Sequence, residues 1–99
     1  MEIIKELNQD HLTIKVIGEL NSFTAPELEQ VIKNSLNDIK TLDFDFKDLV
    51  YLSSAGLRVL LVAQKIMAKQ GKMTLHNVNE SVMDIFEITG FLNILDIDR

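Results

Sequence analysis

The 99-residue sequence has no cysteine and no tryptophan, a single proline and four glycines. Without cysteine there is no disulfide framework, no thiol nucleophile and no cysteine-ligated zinc site. The two histidines, His11 and His76, lie far apart and neither has an HxxxH-type neighbour. A zinc enzyme therefore lacks its donor set. Basic charge is scarce as well: ten Lys and Arg stand against fifteen Asp and Glu, a net charge of −5. Such a surface has little attraction for a phosphate backbone, so direct nucleic-acid binding is not expected. No apolar run approaches the roughly 18 residues that cross a bilayer, and MEIIKELNQD carries no signal-peptide pattern. The expectation is a cytoplasmic chain with no membrane insertion, no metal and no cofactor.

What is present suits one small globular domain over residues 1–99. Apolar residues make up 46% and charged residues 25%, which excludes disorder. No linker, repeat or low-complexity stretch divides the chain. Residues 2–7 read as a first strand, and residues 11–17 alternate, with Leu12, Ile14 and Val16 on one face. The short polar connection makes these two an antiparallel hairpin, with Gly18 ending the second strand. Thr24 and Glu27 have the spacing of a capping box with Pro26 in the first turn, so a helix is expected from there to about Asn37. Residues 41–46 form a strand with Leu42, Phe44 and Phe46 on one face and Asp43 and Asp45 on the other. A long helix over 54–70 should end at Gly71 as a left-handed cap. A strand at 72–77, a helix at 80–89 ended by Gly90 and a short terminal helix complete the order β-β-α-β-α-β-α-α.

Strands joined through helices pair in parallel with right-handed crossovers. The second faces of the strands, Thr13-Lys15-Ile17, Asp43-Asp45 and Thr74-His76, are mostly polar. A parallel sheet covered on both sides would be apolar on both. The fold class is therefore α/β, a four-stranded mixed sheet with helices mainly on one face. Asp43 and Asp45 should point away from those helices beside Lys15, as solvated sheet residues rather than a metal pair.

Functional loops of such sheets gather beyond the carboxyl ends of the parallel strands. Three segments qualify: Glu19–Phe23, Val50–Ser54 and Asn77–Asn79. The second is the most informative, because Ser53-Ser54-Ala55-Gly56 opens the long helix with small residues, followed at once by Leu57, Leu60 and Leu61. A serine there can simply cap the helix, for about 1 kcal/mol. A hydroxyl at a helix N-terminus is equally suited to phosphorylation, since the dipole and free N–H groups favour a dianion. No nucleophile–base pair, Gly-rich phosphate loop or metal cluster supports an enzyme. A receiver domain would need five parallel strands and about 120 residues.

GELNSFTAPELE at 18–29, FKDLVYLSSAGLRVLL at 46–61 and IFEITGFLNIL at 85–95 resemble the STAS family of anti-sigma factor antagonists, over nearly the whole chain. The resemblance implies a small protein substrate whose unphosphorylated form binds an anti-sigma factor serine kinase of the histidine-kinase-like ATPase type and so frees the sigma factor. Phosphorylation of a serine at this helix start dissolves the complex, and a metal-dependent serine phosphatase restores it. The acceptor aligns with Ser54. Asn21, Ser22, Thr24, Ser53, Gly56, Leu57 and Arg58 fall on the partner-binding side of the motif. The chain departs from the family pattern in four places: Ser53 replaces the common aspartate, Ala55 a frequent second hydroxyl, Asn21 a first-loop aspartate and Arg58 a frequent glycine. The alternative within the fold is a stand-alone STAS subunit of a transporter or other complex that is never phosphorylated.

Overall fold

The computed structural model describes residues 1–98. In chain order the elements are β1 (Glu2–Asn8), β2 (His11–Leu20), α1 (Ala25–Ser35), β3 (Thr41–Asp45), β4 (Leu49–Leu52), α2 (Ser54–Ala68), β5 (Lys72–His76) and α3 (Glu80–Thr89), followed by a 3-10 turn at Phe91–Asn93. One sheet runs β1-β2-β3-β5, antiparallel at the hairpin and parallel elsewhere. The sequence pattern predicts four strands; the sheet has five. The additional strand, β4, lies in what reads as a loop, and it pairs in parallel with the far end of β2. A turn in which the Leu49 N–H donates to the Phe46 carbonyl breaks the path, so that β4 takes over from β3 alongside β2. Strand β2 does not end at Gly18. It bulges there, at φ +101°, and continues to Leu20.

The alternation holds. Leu12, Ile14, Val16, Leu42, Phe44, Met73 and Leu75 are buried, while Thr13, Lys15, Asp43, Asp45, Thr74 and His76 are half-buried on the opposite face. The buried face packs against Leu28 and Ile32 of α1, Leu60, Ala63 and Met67 of α2, and Val82 and Phe86 of α3. Helix α3 ends at Gly90 in the left-handed region, as its sequence implies. Helix α2 does not end that way: its last residue is Ala68, the cap is Lys69, and Gly71 has no positive φ. Gly71 is instead a point of close approach, because the following Lys72 N–H donates to the Lys40 carbonyl at 2.9 Å. The capping box is also not formed. Thr24 sits in the helical region without a side-chain cap bond, its hydroxyl being engaged in the preceding loop.

Asp43 and Asp45 point away from the helical layer, as expected. The open face carries a chain of polar pairs. Asp43 bonds His11 through one oxygen and His76 Nε2 through the other, the latter at 2.8 Å, and His76 Nδ1 reaches Asp98 at 3.1 Å. Both ring nitrogens of His76 thus face carboxylates, and only the imidazolium can donate to both. The hydrogen bond to Asp43 raises the His76 pKa from its ordinary 6.5; burial opposes this, and Asp98 adds to it. For Asp43 burial works upward, but the hydrogen bonds from His76 and His11 outweigh it together and the net direction is down from 3.8. The His76 contribution to stability is therefore complete below pH 6.5 and is lost as pH rises through its raised value. The Asp43 contribution is complete above 3.8 and is lost as pH falls through its lowered value. Urea unfolding between about pH 6 and about pH 9 should show stability falling in the parent and falling less in His76→Gln. Equal slopes would mean that the chain of pairs carries no protonation-linked stability.

Candidate functional site

Two loops meet at one end of the sheet because the strands that feed them are paired. Leu20 of β2 stands opposite Leu52 of β4, and the Ser53 N–H donates to the Leu20 carbonyl at 2.9 Å. The first loop is built on Asn21. Its Oδ1 accepts from the N–H groups of Phe23 at 2.9 Å and Thr24 at 3.1 Å, the side-chain turn that Asn favours. Thr24 Oγ1 closes it by accepting from the Asn21 N–H at 2.8 Å and donating to the Glu19 carbonyl at 2.9 Å. Ser22 is exposed at the tip. The third loop is tied to the same end, since Asn79 Nδ2 donates to the Leu49 carbonyl at 2.7 Å and Asn77 Nδ2 to Asp45 at 3.0 Å.

The second loop opens α2. Ser53 is its N-cap: the backbone is extended and Oγ accepts from the Gly56 N–H at 3.5 Å, a long bond. The capping role therefore belongs to Ser53, which is half-buried, and Ser54 is the exposed first residue of the helix. Among the described residues no hydrogen bond involves the Ser54 side chain. Gly56 lets the helix start settle on the sheet: a Cβ there would lie 2.8 Å from Leu20 Cγ and 2.5 Å from Leu52 Cδ1. Gly56 and Leu57 are buried, as is Leu60, so these residues face the core rather than solvent. The apolar surface at this end comes from residues that lie in the candidate loop segments but are not among the expected partner-binding residues, Phe23 at 92% exposure, Val50 at 65% and Tyr51 at 47%. Only a large apolar side chain inside a polar loop marks Phe23 in advance.

Arg58 is exposed one turn after Ser54, but its guanidinium is not directed to Ser54. Its Nη2 donates to Glu29 Oε1 on α1 at 3.0 Å. Among the described residues no group of three or more His, Asp or Glu is placed to hold a metal ion, and no helix is long and apolar enough to cross a membrane.

The one-sided mixed sheet thus presents an exposed Ser54 at a helix entrance, with exposed apolar side chains on the neighbouring segments. The chain belongs to the STAS domain family, whose model matches residues 2–99. It is 31% identical over 96 residues to the anti-sigma-B factor antagonist of Listeria monocytogenes, covering 95% of this chain and 84% of that protein. The fold is that of the anti-sigma factor antagonist from Mycobacterium paratuberculosis, with a TM-score of 0.87 at 23% identity over 97% of this chain and 83% of that one. It is likewise that of the Bacillus cell fate determinant SpoIIAA in its phosphorylated form, with a TM-score of 0.76 at 18% identity over 99% and 92% of the two chains.

Proposed function

We propose that this chain is a cytoplasmic, non-enzymatic anti-sigma factor antagonist switched at Ser54. Unphosphorylated, it binds an anti-sigma factor serine kinase of the histidine-kinase-like ATPase type through Ser54 and the Asn21–Thr24 loop, and the sigma factor is released. The kinase then transfers the γ-phosphoryl group of ATP. The bond from phosphorus to the Ser54 oxygen forms, the bridging bond to ADP breaks, and the hydroxyl proton passes to the kinase. A metal-dependent phosphatase returns the serine by hydrolysis.

The observation that carries this reading is the division of labour between the two serines. Ser53 is committed to the helix cap, whereas Ser54 is exposed with no hydrogen-bond partner among the described residues. The similarity to an anti-sigma-B factor antagonist supports the partner class, and a fold neighbour has been solved in a phosphorylated form. The test is incubation with the cognate kinase and labelled ATP. Label should enter the parent and Ser53→Ala and be absent from Ser54→Ala. Full labelling of Ser54→Ala would overturn the assignment.

A further inference from the structure

Ser54 and Arg58 lie four residues apart on α2, a spacing at which helical side chains are neighbours. The Arg58 side chain is 70% exposed, so packing does not fix its direction. Its partner is Glu29, on the facing helix α1. The other oxygen of Glu29 takes Lys33 Nζ at 2.8 Å, one turn further along α1. The carboxylate therefore has two cations and needs only one of them.

We infer that phosphorylation of Ser54 makes Arg58 change partners, leaving Glu29 for the phosphate one turn away on its own helix. The inference rests on Ser54 being the acceptor and adds what the modification does to the surface. A phosphoserine carries about −1.5 to −2 charges at neutral pH and three acceptor oxygens, against a single carboxylate charge already shared with Lys33. A guanidinium stays protonated and can hold two phosphate oxygens at once. The departure strands no charge, because Glu29 keeps Lys33. Leu28 and Ile32 remain packed in the core, so the helices need not move apart. Phosphorylation thereby alters the face of α1 as well as that of α2: the new dianion is partly neutralised, and Glu29 loses its tie across the helix pair.

The test installs phosphoserine at position 54 by genetic encoding, so that no kinase is needed, and follows the phosphorus NMR titration at low salt in three chains. Relative to the parent, Arg58→Ala should raise the second phosphate pKa by roughly half a unit, the size expected of an exposed pair. Glu29→Gln should lower it, because Arg58 then has no competitor. Added salt should shrink both differences. Three identical titrations would overturn the pairing, and an effect of Arg58→Ala with none from Glu29→Gln would overturn the exchange. Failure of a kinase to label Ser54 would instead count against the proposed function and leave this result standing.

Discussion

Ser54→Asp is expected to weaken binding to the cognate anti-sigma kinase by roughly 10²-fold or more while leaving thermal stability almost unchanged. The two halves have separate causes. In the free protein position 54 is exposed at the first residue of α2, where a negative charge meets the positive end of the helix dipole. That interaction is worth about 0.3–1 kcal/mol in favour of folding. On the proposed function, the same carboxylate would be carried into an interface that accommodates a neutral hydroxyl. An uncompensated charge buried at an interface costs about 3–5 kcal/mol, and each 1.4 kcal/mol is a factor of ten. Isothermal titration calorimetry alongside thermal melts reads both quantities from the same preparations. Tight binding by Ser54→Asp would mean that the partner does not cover this residue. A large drop in melting temperature would mean that position 54 is structural.

The second large effect is on folding. Gly71→Ala should destabilise the domain by about 3 kcal/mol, at the upper end of what overpacking usually causes. A Cβ at Gly71 would lie 2.7 Å from the carbonyl carbon of Lys40 and 2.9 Å from its Cα, and closer still to the carbonyl oxygen. All three are backbone atoms, so no side chain can rotate to make room. The strain falls on the starts of β3 and β5, whose edges are joined there by the hydrogen bond from Lys72 N–H to Lys40. A lower urea midpoint at unchanged slope is the expected signature. An unchanged midpoint would show that the two segments separate without penalty.

The parts of this fold that can be read from the chain are those with a clean period. Strands β2, β3 and β5 alternate, and their buried and open faces follow directly. Strand β4 has no such signal: in Leu49–Leu52 the two outer residues are buried and the two inner ones exposed, and four residues are too few to show alternation. The misread Gly71 has a similar origin, since a glycine after a helix looks the same whether it supplies a left-handed cap or clears space for a distant carbonyl. Thr24 and Glu27 have the spacing of a capping box, but the Asn21 N–H and the Glu19 carbonyl, three and five residues earlier, offer the Thr24 hydroxyl competing partners. The exposed Ser54 and the capping Ser53 follow from the helix start itself, although which of two adjacent serines caps is decided by backbone geometry. The pairing of Arg58 with Glu29 joins residues 29 positions apart and leaves no local trace.

The three loop ends at the Ser54 side of the sheet are anchored by main-chain groups: Ser53 to Leu20, Asn79 to Leu49, and the Asn21 turn to its own N–H donors. On the proposed function, a partner docking there would meet loops whose ends are already tied by hydrogen bonds. Little conformational freedom remains to be frozen on association, so most of the contact energy can appear as affinity. Encounter rates should then be governed by collision and orientation rather than by a slow ordering step. On the proposed function, a complex that forms and dissolves at each round of signalling would benefit from such a surface, because its lifetime would be set by one removable charge.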